Sequence, residues 1–141
     1  MAIVWPAFAL VALTLLSVAR LARMRFAAAR AGRVDPRYYK VFKGEGEPHE
    51  LAAASRNVIN LHEMPTLFYA GTAIAFAAGE SGPVLVALGW AYVGMRALHS
   101  SIHVSTNRVM WRFRAFFASW VVLLAYWAVL GVAIASPAAA G

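Results

Sequence analysis

Four long apolar runs constrain this chain more than any other feature of its sequence. They cover residues 2–19, 58–79, 83–104 and 115–135. The first and last runs carry no charge, and the second carries only Glu63. The third is interrupted by Arg96, His99 and His103. A helix that crosses a bilayer needs about 20 mostly apolar residues, and in lipid only helices and closed barrels satisfy the backbone polar groups. The runs therefore predict four membrane-spanning helices.

The composition agrees with this prediction. Of 141 residues, 62% are hydrophobic and 13% are charged, whereas a soluble domain has about 25% charged residues. This balance excludes an ordinary soluble fold and a disordered chain. We expect residues 1–141 to form one all-α integral membrane domain, a four-transmembrane-helix bundle. Its helices should lie at about 2–22, 48–79, 83–104 and 112–135, with a kink at Pro65 in the second.

The basic residues predict the orientation of this bundle. Lys and Arg exceed Asp and Glu by 13 to 6, and with so apolar a chain this excess indicates a lipid bilayer as partner, not nucleic acid. The connection between the second and third runs has no basic residue. The basic residues lie in the two other connections: Arg20, Arg23, Arg25, Arg30, Arg33, Arg37, Lys40, Lys43 and Arg56 in one, Arg108, Arg112 and Arg114 in the other. By the positive-inside rule, both termini face outside and both basic loops face the cytoplasm. The first run has no basic residue before it, so we expect it to stay as a span and not to be a cleaved signal.

Two stripes of polar residues interrupt the predicted spans. Ionisable groups inside a span are costly, about 2.5–3.5 kcal/mol each on insertion scales, and they usually face the bundle interior. Arg56, Asn60 and Glu63 share one face of the second helix at i, i+4 and i+7. The third helix has a similar face at i, i+3 and i+7, made by Arg96, His99 and His103. Two such stripes in the cytoplasmic half predict a pocket for an anionic, polar molecule.

Other interpretations of these stripes remain open. Glu63 paired with Arg56 or with Arg96 would be an interhelical ion pair that only fixes packing. His99 and His103 at i and i+4 also have the spacing of a helical metal-binding pair. With His62 and Glu63 on the neighbouring helix they would form a metal site, and two membrane histidines would also hold a haem.

The polar stripes carry a family resemblance. Residues 56–69, RNVINLHEMPTLFY, resemble the second helix of the MAPEG family, membrane-associated proteins in eicosanoid and glutathione metabolism. That helix has an arginine, an asparagine four residues on, a glutamate seven on, and then a proline and an aromatic residue. Residues 90–103 resemble the third helix, and residues 107–114 look like the basic turn after it. The likeness covers essentially the whole chain and is closer to the bacterial branch. There are two departures from the family pattern. His103 stands where several family enzymes have tyrosine, and Pro65 follows Glu63 by two residues, closer than in the eukaryotic enzymes.

The resemblance implies a homotrimer that binds glutathione between neighbouring subunits near the cytoplasmic face. Its charged and amide groups would be held by Arg56, Asn60 and Glu63, and His99 and His103 would line the site beside Arg96. Arg112 stands where family enzymes place an arginine that stabilises the thiolate, although Arg108 and Arg114 compete for this role. Arg20 or Arg23 would reach a carboxylate from the next subunit. Because the chain has no cysteine, the thiol must come from the ligand.

Three functions follow as hypotheses. The first is a glutathione transferase or peroxidase of the bacterial inner membrane, with glutathione as thiol cosubstrate. Its thiolate would attack a hydrophobic electrophile or hydroperoxide that arrives from the bilayer. The second is a non-catalytic accessory or scaffold subunit that binds another membrane protein. The third is a haem- or metal-binding membrane protein.

Overall fold

The computed structural model describes residues 2–42 and 46–136, and this part of the chain is helical without a strand. A 3₁₀ turn, Ala2–Val4, leads into the first helix. The helices are α1 (Trp5–Arg30), α2 (Tyr38–Val41), α3 (His49–Glu63), α4 (Thr66–Ala77), α5 (Pro83–Val104) and α6 (Val109–Ala135). Lys43, one of the basic residues used for the orientation, lies outside the described residues.

Proline and glycine mark where several helices begin and end. Pro6 lies in the first turn of α1, and Pro83 is the first residue of α5. Proline suits this place because the first N–H groups of a helix have no intrahelical partner. Gly32 follows α1 and Gly79 follows α4, with φ of 66° and 75°. These left-handed conformations let the chain turn back on the last carbonyls of the helix, and a side chain would strain them.

The predicted second helix, 48–79, is divided at Pro65 into α3 and α4. Proline has no N–H to donate, so the carbonyl of Leu61 loses its intrahelical partner, and the ring crowds the preceding turn. Nearby side chains bond to the next free carbonyls at the break. Thr66 Oγ1 donates to the carbonyl of Glu63 at 2.8 Å, and Tyr92 Oη of α5 donates to the carbonyl of Met64 at 3.3 Å. The break therefore lies against α5.

Two other helices extend beyond their predicted bounds. α1 continues to Arg30, past the predicted end at 22, because alanine, arginine and methionine in this stretch are good helix formers. The extension also packs: Leu21 and Ala28 form a buried cluster with Leu51 and Ala54 of α3. α6 begins at Val109, three residues before the predicted 112, because the turn before it is short.

A polar cluster around Arg25 of α1 joins this helix to the connecting segment and to α3. Arg25 Nε donates to Glu47 Oε1 at 3.0 Å, and Arg25 Nη2 donates to Ser55 Oγ at 3.0 Å. The Arg25 guanidinium also lies 4.7 Å from the centre of the Tyr39 ring. Burial, and then the nearby Glu47 carboxylate, raise the pKa of the Tyr39 phenol. The loop is thus fixed over the start of α3, near the site described below.

The main apolar core lies between α1, α4, α5 and α6. Phe68 stacks on Tyr92 at a centroid distance of 4.8 Å, and Tyr126 meets Phe68 edge-on at 5.3 Å. Leu10 and Leu123 complete the centre of this cluster. Aromatic pairs of this kind add to the stability that comes from burial alone. The core holds α4 to α6 and fixes the distance between α5 and its neighbours.

Two helical segments are long and apolar enough to cross a membrane, Ala2–Arg30 and Val109–Ala135. Their most apolar windows are only 17% and 22% buried. The core helix of a soluble protein buries most of such a surface, whereas these two present it outward. The other two predicted spans, 48–79 and 83–104, do not form helices of this kind. α4 has 12 residues, and α5 is interrupted by buried polar side chains.

Candidate functional site

The polar stripes of α3 and α5 meet the first turns of α6 around one cavity of about 330 Å³. The residues that α3 and α5 contribute are all polar, whereas α6 contributes Arg112 and three apolar residues. The lining residues are Arg56, Asn60, His99, His103, Val109, Arg112, Phe113 and Phe116. The cavity thus joins five of the residues singled out in the sequence with three apolar ones.

The two histidines of α5 form one wall of the cavity. His99 and His103 lie one helical turn apart, with ring centroids 5.7 Å from each other. His99 Nδ1 lies 3.1 Å from the carbonyl oxygen of Arg112. His99 Nε2 and His103 Nδ1 are buried and have no hydrogen-bond partner among the described residues. Buried polar atoms are normally paired, so these nitrogens can each form one hydrogen bond to a polar ligand.

Arg112 is the arginine of the α6 region that lines this cavity. Its Nη1 donates to Asn107 Oδ1 at 2.6 Å, which holds the side chain against the start of the helix. Arg114 instead lies over the ring of Trp111, 5.1 Å from its centre. Arg108 is exposed at the N-terminal cap of α6. Among the three arginines that sequence reasoning left open, Arg112 is thus the one beside the histidines.

Arg96 lies behind the cavity and not in its wall. Its side chain is fully buried, with 0% exposure. Its Nη2 donates to both oxygens of Asn60, the side-chain Oδ1 and the backbone carbonyl, the latter at 3.1 Å. Nε and Nη1 are buried without a partner in the described part of the chain. This guanidinium therefore acts on Asn60 and does not itself face the cavity.

Three predicted residues are exposed. Glu63 ends α3 outside the cavity lining, and Arg23 lies on α1, away from it. Arg56 is exposed at the rim. In residues 2–42 and 46–136 the ion pairs are Arg25–Glu47 and Arg33–Glu50, so the packing role suggested for Glu63 with Arg56 or Arg96 has no counterpart there.

Sequence reasoning missed a buried pair that joins α3 to α5. Asn57 Nδ2 donates to Ser100 Oγ at 2.7 Å, and Ser100 Oγ donates back to Asn57 Oδ1 at 2.9 Å. Both side chains are almost completely buried. The signal was present, since an asparagine in a predicted membrane helix needs a hydrogen-bond partner, and Asn57 lies directly before the apolar run 58–79.

The metal interpretation gains little from the geometry. His62 is exposed and bonds to the carbonyl of Val58 in its own helix, at 2.8 Å, instead of turning toward His99 and His103. Within the described ranges there is no group of three or more His, Cys, Asp or Glu side chains that could hold a metal ion. The haem or metal hypothesis rests on the histidine pair alone.

Comparison with known proteins adds one finding to this geometry. A sequence model of the MAPEG family matches residues 3–132. No curated protein and no solved structure matches the chain. The family match covers both polar stripes, the cavity and both apolar membrane segments. The chain therefore belongs to the MAPEG family and is an integral membrane protein.

Proposed function

We propose that this protein is a membrane-bound glutathione transferase or peroxidase, in which the thiolate of glutathione attacks a lipophilic electrophile or hydroperoxide. The observation that carries the proposal is the cavity between α3, α5 and α6. It brings two arginines, an asparagine and two histidines together with Val109, Phe113 and Phe116. A cavity of about 330 Å³ also falls within the range of small-ligand sites.

Glutathione suits the polar side of this cavity. It carries two carboxylates and one ammonium, and arginine binds carboxylates through two parallel hydrogen bonds. Arg56 at the rim is the group we assign to a carboxylate. Asn60, His99 and His103 supply hydrogen bonds to the amide and carbonyl groups. Glu63 ends the same helix and is our candidate for the ammonium.

Arg112 is the residue we propose for catalysis. A cation beside a thiol lowers the pKa of the thiol and raises the fraction of the reactive thiolate. With an electrophile, the thiol proton leaves to water, sulfur bonds to the electrophilic carbon, and the leaving group departs with its electron pair. With a hydroperoxide, two glutathione molecules are oxidised to a disulfide while the hydroperoxide is reduced to an alcohol and water. The apolar wall made by α6 would receive either second substrate from the bilayer.

The quaternary structure and orientation are part of this proposal. We propose a homotrimer of four-helix subunits in a bacterial inner membrane, with both termini outside and the basic loops in the cytoplasm. Two exposed residues support a shared site, because Glu63 and Arg23 are charged groups that this subunit leaves outside its own cavity. A neighbouring subunit would bring Arg23, or Arg20 beside it, to a carboxylate of the ligand. The mass of the protein in a detergent micelle measures the subunit number.

Calorimetry with glutathione on protein in lipid nanodiscs tests the proposal. We expect saturable binding that weakens about 10- to 100-fold in Arg56→Ala, because a hydrogen bond to a charged group is worth about 1.5–3 kcal/mol. Arg33→Ala is the matched control, since Arg33 pairs with Glu50 at the other end of α3. Turnover of a hydrophobic electrophile then completes the test.

The same preparation separates the other two hypotheses. Absence of binding up to millimolar glutathione would contradict the proposal. In that case, co-purification with a stoichiometric membrane protein would indicate the accessory subunit, and a Soret band or bound metal would indicate the haem or metal protein.

A further inference from the structure

The break at Pro65 creates a place where a buried cation is stabilised. α3 ends at Glu63, and its last carbonyls form the negative end of the helix dipole. Tyr92 and Arg96 lie one turn apart on α5 and donate to these carbonyls, Tyr92 to Met64 and Arg96 to Asn60. Among the described residues, the buried guanidinium thus has two oxygen acceptors at Nη2 and no carboxylate beside it, while Nε and Nη1 have no partner.

Arg96 also decides which way the amide of Asn60 points. A guanidinium has hydrogen-bond donors and no acceptor, so the amide group must turn its oxygen toward Arg96. The structure has this orientation, with Nη2 donating to Oδ1. The amide nitrogen, Nδ2, is then directed away from Arg96. It forms no hydrogen bond within the described part of the chain, and Asn60 lines the cavity.

We infer that Arg96 is a positioning residue, which fixes the Asn60 amide so that Nδ2 presents a hydrogen-bond donor to the cavity. The cavity therefore selects a ligand with a carbonyl or carboxylate oxygen at this point. Lysine would serve less well, because the planar guanidinium holds its donors in fixed directions whereas an ammonium is a point charge on a flexible stem. The inference rests on the proposed function only in its choice of glutathione as the probe.

A double-mutant cycle with glutathione tests this role. We expect Asn60→Ala and Arg96→Met each to raise Kd about tenfold, the usual cost of one good hydrogen bond. If Arg96 acts through Asn60, then Arg96→Met should raise Kd no further in the Asn60→Ala background. An equal rise of Kd in both backgrounds would mean that Arg96 affects binding through general packing, and it would overturn the inference.

Asn60→Asp separates the donor from the packing role. An aspartate at 60 keeps an acceptor for Arg96 and gives the buried guanidinium a carboxylate, but it removes the donor facing the cavity. We expect a thermal midpoint equal to or above that of the wild type, with Kd raised about tenfold or more. Binding as tight as the wild type would show that the donor has no role. Arg33→Met is the control for loss of an arginine, and it should leave Kd unchanged.

Two further measurements test the inference if Arg96→Met does not fold or if the wild type does not bind glutathione. Should Arg96→Met not fold, Arg96→Lys replaces it, and we expect a Kd between those of the wild type and Asn60→Ala. Should the wild type bind no glutathione, the proposed function fails, and the inference is judged from thermal midpoints of the same variants. Non-additive shifts would support the coupling of Arg96 to Asn60, and additive shifts would overturn it.

Discussion

The helices on either side of Pro65 come from one stretch of sequence but have different surroundings. α3 presents Arg56 and Asn60 to a polar cavity, whereas α4 buries Phe68, Gly71 and Ala75 in the apolar core. A single proline thus divides this stretch into a chemical half, α3, which lines the cavity, and a structural half, α4, which lies in the core. Changes to the cavity-lining residues of α3 should therefore alter ligand binding or turnover, and changes to the buried residues of α4 should alter stability.

The largest expected effect is on turnover, when Arg112 at the cavity is replaced. We expect Arg112→Ala to lower kcat about 100-fold, which is typical for the loss of one group that stabilises a developing anion. The thermal midpoint should change little. Steady-state turnover of glutathione with an activated aryl halide gives kcat, and ultraviolet absorbance of the bound thiolate gives its fraction. Arg114→Ala is the control, and an equal loss there would contradict the assignment of Arg112.

The next effect belongs to the structural half. A Cβ added at Gly71 would lie 2.9 Å from Tyr126 Cε1 and 3.3 Å from the ring of Trp127. Because Tyr126 is fully buried, its ring cannot move aside freely, and we expect Gly71→Ala to destabilise the fold by about 1–3 kcal/mol. Thermal unfolding measures this, and the glutathione Kd of the folded protein should stay the same.

Gly94→Ala is the matched control for the α4 change. A Cβ at Gly94 meets nothing within 4 Å, and alanine in a helix interior is favoured over glycine by about 0.5–1 kcal/mol. We expect a small rise in thermal midpoint. A fall as large as that of Gly71→Ala would mean that α5 packs against something at Gly94, and the division into two halves would need revision.

A smaller effect on stability is expected at the Asn57–Ser100 pair, which joins α3 to α5. Ser100→Ala removes the partner of Asn57 and leaves a buried amide unsatisfied, which costs about 1–2 kcal/mol. Ser101→Ala, a change at an exposed neighbour, is the control. We expect Asn57→Leu combined with Ser100→Ala to recover most of the loss in thermal midpoint, since no polar group is then left unpaired. Failure to recover would show that the pair also sets the helix spacing.

The smallest effect is expected at the exposed start of α3. A hydrogen bond from its own backbone N–H, and then Arg33, lower the pKa of Glu50. A carboxyl with a lowered pKa stabilises the folded state above its ordinary pKa, and this contribution is lost as pH falls through the lowered value. We expect Arg33→Gln to raise the Glu50 pKa toward its ordinary value without a measurable change in thermal midpoint at neutral pH. Carboxyl titration by NMR checks this, with Arg30→Gln as control.

The features that the sequence predicted best depend on residues that lie close together in the chain. The family assignment, supported by motifs in the second and third helical segments, is confirmed by the match over residues 3–132. The integral membrane class is also supported, by the family and by two apolar helices. The disruption at Pro65 follows from the missing N–H of proline. Each of these depends on residues close together in the chain.

Helical periodicity was less informative about which side chains face the same space. It placed Arg96 on one face of α5 with His99 and His103, yet Arg96 lies behind the cavity while the histidines line it. It also placed Glu63 with Asn60, but α3 ends at Glu63 and leaves it exposed. Periodicity gives the direction in which a side chain leaves its helix, but it does not say how closely a neighbouring helix packs over that side chain.

By itself, the sequence determined the helical class, two of the four predicted apolar membrane segments, the position of the break and the family. These follow from hydrophobic runs, proline chemistry and local motifs, which act within a few helical turns. Only the tertiary structure decided that Arg112 stands beside the histidines, that Arg96 bonds to Asn60, and that Asn57 pairs with Ser100. Those contacts join residues far apart in the chain, and their geometry depends on how deeply the helices pack against one another.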